Sequence, residues 1–289
     1  TGAFSSTVTG TSFNGIPFYS ADTSSIYTTD VSGTDSTASG NSAYGYQALD
    51  AITTGDNNSA LGYGALGANT TGAQNVAVGK DALKANTTAA DNTAVGYQSQ
   101  LATTTGTNNT SLGTGSLRTI TTESGNTAIG TASQYISAAA NNTSVGFESL
   151  RYNTSGAGNT AVGKDALKAN TTGTNNVAMG HGALDSNTTG TQNTAIGTDS
   201  LKTNTTADNN VAVGFEAMKL NTTGAGNIGI GYQAMELNTT GTRNIAIGFE
   251  AYANSDTESD NLAIGYQAMT ANTAGGVQNI ALGNYALDA

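Results

Sequence analysis

A five-residue phrase in which polar, small and apolar positions alternate recurs along the chain. Each copy begins with Asn, has Ala, Ser or Gly third, an apolar residue fourth and Gly fifth. The fifteen copies start at Asn41, Asn58, Asn75, Asn92, Asn109, Asn126, Asn142, Asn159, Asn176, Asn193, Asn210, Asn227, Asn244, Asn261 and Asn279. Successive copies are 17 residues apart, except for 16 after Asn126 and 18 after Asn261. A unit this short cannot bury a core alone, so the units must stack on one another.

The positions of the repeat, counted from its Asn, predict two short strands. Apolar or β-branched residues at positions 2 and 4 alternate with small residues at positions 3 and 5, which is the period of a β-strand. Position 9 is Leu, Met or Tyr in thirteen copies, which predicts a second strand after a Gly-rich corner. At the exceptions, Gln100 and Gln134, we expect the next residue (Leu101, Tyr135) to take the core position. Asn-Thr-Thr-Gly phrases predict a second corner, because Asn and Gly tolerate left-handed backbone angles.

Two strands and two corners make one coil of an all-β, parallel β-solenoid, or β-roll, with about fifteen coils over residues 41–289. We expect the apolar columns at positions 4 and 9 to form a thin continuous core. The stacked Asn of position 1 is predicted to form an amide ladder along the solenoid. The six consecutive residues that represent this ladder are Asn159, Asn176, Asn193, Asn210, Asn227 and Asn244.

Residues 1–40 lack the repeat and are predicted to form an N-terminal cap or an assembly arm. The last coil has no separate capping sequence, so we expect an open coil edge there. The N-terminal segment of a neighbouring copy would cover that edge by strand addition. The candidate assembly residues are Phe4, Phe13, Ile16, Phe18 and Tyr19.

The composition excludes several classes of function but does not identify one. The net charge is -11 with nine Lys+Arg, which argues against a nucleic-acid partner. No stretch of 18 or more apolar residues predicts a transmembrane segment. The absence of Cys excludes disulfides, Cys-based metal sites and thiol catalysis.

The reactive side chains are few and scattered. His181, the only His, occupies position 6, where most copies of the repeat with a bulky residue carry Tyr or Phe. Acids at position 7 fall on adjacent coils, as in the pairs Glu148/Asp165 and Asp199/Glu216, at about the spacing of a retaining glycosidase. Acid–Asn corners such as Asp208-Asn209 are alternatively calcium ligands or turn formers. We expect solvated acids and turns, with no catalytic residue, no cofactor and no metal.

Two further columns are candidates for recognition. The aromatic residues of position 6 either pack against another subunit or stack on surface glycans; we favour packing. Asn-x-Thr/Ser sequons in the second corner are candidate glycosylation sites in a secreted chain, or simply good corners. These sequons begin at Asn69, Asn86, Asn153, Asn170, Asn187, Asn204, Asn221 and Asn238.

The phrases Asn-Thr-Ala-Val-Gly and Asn-Ile-Ala-Ile-Gly resemble the head repeats of trimeric autotransporter adhesins. The longer phrase over residues 159–173 is similar to repeats in bacteriophage tail-fibre and bacterial surface proteins. The resemblance covers about residues 41–289 and implies left-handed parallel β-rolls, three side by side.

We therefore expect a non-enzymatic, extracellular structural protein on a cell surface or virion surface, a homo-oligomer whose subunits form a fibre or filament. The alternative is the shaft or receptor-binding segment of a trimeric phage tail fibre or surface adhesin.

Overall fold

The structure, a computed structural model, describes residues 12–13, 16–17, 26–27, 37–270 and 275–287. The chain divides into two compact units, Thr1–Thr131 and Ala132–Ala289. The strands of the first unit are β1 (Ser12–Phe13), β2 (Ile16–Pro17), β3 (Ile26–Tyr27), β4 (Ser42–Tyr44), β5 (Ser59–Leu61), β6 (Val76–Val78), β7 (Thr93–Val95), β8 (Thr110–Leu112) and β9 (Thr127–Ile129). Those of the second unit are β10 (Thr143–Val145), β11 (Thr160–Val162), β12 (Val177–Met179), β13 (Thr194–Ile196), β14 (Val211–Val213), β15 (Ile228–Ile230), β16 (Ile245–Ile247), β17 (Leu262–Ile264) and β18 (Ile280–Leu282).

Both units are parallel β-solenoids, which confirms the predicted fold class. In the first unit β3 to β9 pair in chain order, and in the second unit β10 to β18 do the same, always in parallel. The register follows the repeat: Ala161 lies opposite Ala178, and Ala178 opposite Ala195. Among the described residues there is no helix, so none is long and apolar enough to cross a membrane.

In the described part of the chain, each coil from β4 to β18 contains one strand of three residues, not the two strands that the sequence predicts. The second side of the coil, positions 6 to 11, is a series of turns in which positions 7 and 9 have left-handed backbone angles. Asp165 and Leu167, for example, have φ of 58° and 51°. This side still bonds to the next coil, because Leu167 N donates to Ala183 O and Ala169 N to Asp185 O. Left-handed angles are unfavourable for Leu, and alternation of residue types alone gave no sign of them.

The core lies on the small side of the strand, which reverses the expected packing of position 4. Ala178 of position 3 is fully buried, whereas its neighbour Met179 of position 4 is 43% exposed. The interior is filled by Ala of positions 3 and 8 and by Leu or Met of position 9, between buried Asn side chains. A 17-residue coil is too thin to hold Val or Ile on both walls. The aliphatic residues of positions 2 and 4 therefore point outwards.

Gln100 and Gln134 stay in the core, so the expected shift by one residue is wrong. Both side chains are fully buried, and Leu101 and Tyr135 are only half-buried. One Ser of position 3 accepts a hydrogen bond from each buried amide, Ser111 from Gln100 Nε2 and Ser144 from Gln134 Nε2, which offsets part of the cost of burying an amide.

The invariant Gly of position 5 is required by close contact between coils. Gly197 has φ of 133°, and a Cβ atom on it would lie 2.3 Å from the carbonyl oxygen of Gly214 in the next coil. No side chain fits there, and the backbone angle itself is one that L-residues rarely adopt.

The stacked coils begin inside the segment predicted to be an N-terminal arm. β3 pairs in parallel with β4, and Tyr27 is fully buried. β1 and β2 form an antiparallel pair in which Phe13 lies opposite Ile16. The candidate assembly residues Phe4, Phe18 and Tyr19 lie outside the described residues.

Candidate functional site

The asparagines of position 1 form the predicted ladder in both units. In the second unit Asn176 donates from its backbone N to Asn159 Oδ1 over 2.9 Å, and from Nδ2 to the same oxygen over 3.2 Å. Its Nδ2 also lies 2.8 Å from the carbonyl oxygen of Gly190. The same backbone-to-Oδ1 bond recurs at Asn193, Asn210, Asn227 and Asn244. Every amide is thus used in stacking one coil on another.

A second ladder, which the sequence did not reveal as one, occupies position 12. Asn187 Nδ2 donates to Asn170 Oδ1 over 2.8 Å and to Gly190 O over 3.0 Å. The ladder consists of the sequon asparagines, of which Asn69 and Asn86 are in the first unit and Asn153, Asn170, Asn187, Asn204, Asn221 and Asn238 are in the second. All eight side chains are fully buried. A glycan on Nδ2 would require the coil to open, so the fold favours the reading of these sequons as corners.

The acids of both candidate glycosidase pairs contact lysine side chains, whereas Glu250 at the same position accepts a hydrogen bond from Gln267. Lys168 Nζ lies 2.7 Å from Glu148 Oε2 and 3.1 Å from Asp165 Oδ1, so it joins the two acids of one candidate glycosidase pair. In the other pair, Lys202 contacts Asp199 over 3.1 Å and Lys219 contacts Glu216 over 2.6 Å. The hydrogen bond from Lys219, followed by that from Gln233, lowers the pKa of Glu216. A glycosidase general acid needs a raised pKa, so Glu216 is not suited to that role.

The remaining candidates for chemistry are His181 and the acid–Asn corners. His181 is exposed and stands in the position 6 column. Asp208 Oδ1 accepts hydrogen bonds from Thr191 N and Thr191 Oγ1, which ties the corners of two coils together. Within the described ranges, no three His, Cys, Asp or Glu side chains come close enough to hold a metal ion.

The aromatic residues of position 6 stack on each other. From Phe215 to Tyr266 four rings form a continuous pile, with centroid separations of 5.4, 4.8 and 5.1 Å and interplanar angles of 11° or less. The faces of Tyr232 and Phe249 are therefore covered on both sides, and only their edges are open. A sugar ring stacks on an aromatic face, so Tyr232 and Phe249 offer no open face to a glycan; the stacking joins coils of one chain, and packing of these rings against another subunit stays a prediction.

The outward side chains of positions 2 and 4 cover one face of each unit; we call it the apolar face, because position 4 is apolar throughout, although position 2 is Ser or Thr in several strands. Leu61, Leu112 and Ile129 are 37–49% exposed in the first unit, and Ile196, Ile230 and Ile247 are 36–39% exposed in the second. A sheet face that contacts only water normally carries polar residues. Large exposed apolar patches mark interaction sites, so the apolar face is the strongest candidate for a functional surface.

No protein-family model, curated protein or solved structure matches this chain.

Proposed function

We propose that the chain is an extracellular structural protein whose β-solenoid subunits assemble into a fibre or filament by the stacking of coils. One observation carries the proposal: the recurrent residues of the repeat are used to bond each coil to the next. Two asparagine ladders, a glycine column and the parallel strand ladder repeat this bonding coil after coil.

Coil stacking can also join separate subunits, because the exposed edge of a terminal coil can pair with a coil of another copy. A coil presents backbone and amide groups in an arrangement that another coil of the same sequence pattern complements. Subunits that stack in this way extend the ladders from one copy to the next. The N-terminal candidates Phe4, Phe13, Ile16, Phe18 and Tyr19 belong to this proposal as an exchanged segment between copies.

The chemistry of the described side chains agrees with a non-enzymatic role. The acids of both candidate glycosidase pairs carry Lys partners, and the ladder asparagines bond one coil to the next. Within the part of the chain that the structure describes, His181 belongs to no cluster of three His, Cys, Asp or Glu side chains that could hold a metal ion.

Electron microscopy and sedimentation velocity of the purified full chain test the proposal. Wild-type protein is expected to form filaments or long oligomers, and a variant that lacks residues 1–25, and so keeps β3, is expected to form shorter or fewer ones. His181→Ala, an exposed substitution, serves as the control and should assemble normally. Wild-type protein that stays monomeric at all concentrations would refute the proposal, and unchanged filaments after the deletion would refute the exchanged segment.

The second candidate is the shaft or receptor-binding segment of a trimeric phage tail fibre or surface adhesin. The apolar face favours it, because lateral contact between chains would cover that face. Native mass spectrometry distinguishes the two: a closed trimer supports the shaft, and open-ended polymers support the filament subunit.

A further inference from the structure

The apolar face changes character along the second unit. Position 2 is Thr at Thr143, Thr160 and Thr194, but aliphatic in every strand from β14 to β18. We call these five strands' outward residues the C-terminal patch. It consists of Val211, Val213, Ile228, Ile230, Ile245, Ile247, Leu262, Ile264, Ile280 and Leu282. None of these ten outward residues is polar. The outward face of β4, β5, β7 and β8, by contrast, mixes Ser or Thr with apolar residues.

The stacked rings lie beside the C-terminal patch on the same coils. Phe215, Tyr232, Phe249 and Tyr266 follow position 4 after a single Gly and are 39–44% exposed. The rings therefore widen the apolar surface by one column. The charged column of position 7, with Glu216 and Glu250, comes next and forms its polar rim.

We infer that the C-terminal patch is an interface at which two copies of this chain pack face to face. The inference rests on the proposed structural role and names a lateral contact within it. Two sheets packed in this way lie about 10 Å apart with their side chains interdigitated.

The size of the surface fits such a contact. The five position 4 and last-strand residues Ile230, Ile247, Ile264, Ile280 and Leu282 are 36–66% exposed, and the other five residues of the patch are half-buried. With the four rings, the patch exposes on the order of 800 Å² of apolar surface, about what one partner buries in a standard interface. Because the patch itself holds no charged side chain, the contact desolvates no charge within it, and the acids Glu216 and Glu250 stay at its rim.

The spacing between rows of side chains in the patch favours a second copy of this chain as the partner. Rows of side chains follow the coil rise, about 4.8 Å per strand, along both columns. Only a surface with the same spacing places a row of side chains into every groove, and a second copy of this chain supplies one. A single flat patch on each copy is self-complementary in a two-fold pair, whereas a closed trimer needs two different contact surfaces per chain.

Sedimentation velocity of the full chain, over a concentration series, tests the inference with a matched pair of variants. Ile230→Thr/Ile247→Thr changes the centre of the C-terminal patch to the residue that occupies outward position 2 in β13. Leu112→Thr/Ile129→Thr makes similar changes on the apolar face of the first unit. Circular dichroism and thermal melting verify that both variants fold.

At concentrations below those at which filaments form, wild-type protein is expected to dimerise. The patch variant should raise the dissociation constant by at least about tenfold, because each copy loses buried apolar area at two positions. The control variant should stay within about twofold of wild type. Dimers that are equally weakened by both variants, wild-type trimers, or a wild-type monomer would each overturn the inference.

Electron microscopy of the same samples separates this inference from the proposed function. Wild-type filaments that are as thick and as abundant in the patch variant, without any patch-dependent dimer, would overturn the lateral interface and leave the fibre proposal standing. Patch-dependent dimers without filaments would support the interface and count against the fibre.

Discussion

A buried asparagine in this protein satisfies its amide through the coils above and below it, so the end of a ladder leaves an amide incomplete. In the first unit the position 12 ladder runs from Asn69 to Asn86 and stops at Thr103. Asn86 Oδ1 and Thr103 Oγ1 are both buried and have no hydrogen-bond partner in the described part of the chain. An unsatisfied buried polar atom costs about 1 to 3 kcal/mol.

Thr103→Asn is therefore expected to stabilise the protein by about 1 kcal/mol, because the new Nδ2 donates to Asn86 Oδ1 as in the rest of the ladder. Asn and Thr are similar in volume, and position 12 already holds Asn in eight described coils. The midpoint of urea unfolding measures the effect. Thr105→Asn, an exposed change two residues away, should leave the midpoint unaltered; a midpoint for Thr103→Asn at or below the wild-type value would contradict the argument.

Glu258 lies in the coil of the second unit in which the position 12 ladder ends. Ser255 replaces the ladder Asn, and the Glu258 carboxylate accepts hydrogen bonds from Ser255 Oγ over 2.7 Å and from Gly275 N over 3.0 Å. Burial acts to raise the pKa of Glu258, but these bonds and those from backbone N–H groups outweigh it and lower the pKa to about 2. The ionised carboxylate is thus a structural part of this corner.

Because the pKa of Glu258 is lower in the folded than in the unfolded chain, its stabilisation is present above about pH 4.5 and is lost as pH falls towards 2. Glu258→Gln is expected to lower the free energy of unfolding at pH 7 by up to about 3 kcal/mol, with a difference that shrinks on acidification.

Glu236→Gln is the control with the opposite sign. Burial, together with Glu216 and Glu250, raises the pKa of Glu236, so its ionised form destabilises the fold at neutral pH. Glu236→Gln should leave stability at pH 7 unchanged or increase it. Urea unfolding between pH 3 and 7 compares the two variants, and parallel pH profiles would show the assignment for Glu258 to be wrong.

At the scale of the coil, two buried polar clusters interrupt an otherwise apolar core. In the first unit Gln100 Nε2 donates to Thr93 O over 2.9 Å and to Ser111 Oγ over 2.8 Å, while Ser99 bonds to Ser116 over 3.0 Å. Gln134 forms the corresponding cluster in the second unit with Ser133, Ser144 and Ser149. A coil that slipped by one repeat would place either Gln against Ala. We therefore hypothesise that the clusters fix the register of a chain whose other coils are nearly interchangeable.

Replacement of the first cluster by the usual residues of the repeat tests this hypothesis. The variant Ser99→Ala/Gln100→Leu/Ser111→Ala/Ser116→Ala should be as stable as wild type or more stable by about 1 kcal/mol, since it removes the unsatisfied Gln100 Oε1. Its yield of native protein after refolding from urea should fall, because slipped registers are no longer penalised. Gln100→Leu alone should be destabilising, since it strands buried Ser hydroxyls. A quadruple variant that refolds as completely as wild type would remove the register role.

The comparison of sequence and coil shows what residue patterns can predict. The period, the parallel stacking and the Asn159–Asn244 ladder follow from positions kept in phase. The pattern at positions 2 to 5 predicts that side chains alternate between the two sides of the strand, but not which side faces the core. The interior of the coil is thin, so the small Ala178 is buried and Met179 is exposed. The second strand was mispredicted, because Leu at φ near 50° contradicts its own backbone preference and is held there by core packing.

At the scale of the whole molecule, the repeat makes stability a sum of terms for single coils and for contacts between neighbouring coils. In the second unit, residues 176–192 are one complete coil from its Asn of position 1 to its last residue. Their deletion joins Asn175 directly to Asn193, so a position 17 residue is again followed by a position 1 Asn. Asn193 N then takes the place of Asn176 N as the donor to Asn159 Oδ1, and both asparagine ladders continue without a gap.

This 17-residue deletion is expected to keep the fold, with an unfolding temperature within a few degrees of wild type, because only one coil and one contact term are lost. Deletion of residues 176–184 is the matched control, since it removes fewer residues but takes out a strand together with core residues Ala183 and Leu184. That control should unfold or aggregate, which circular dichroism and thermal melting will reveal. The longer deletion also removes His181, the only histidine. If assembly in the electron microscope survives it, the histidine has no part in the proposed function. If the longer deletion disrupts the fold as much as the shorter one, stability is not a sum of terms for single coils and for contacts between neighbouring coils.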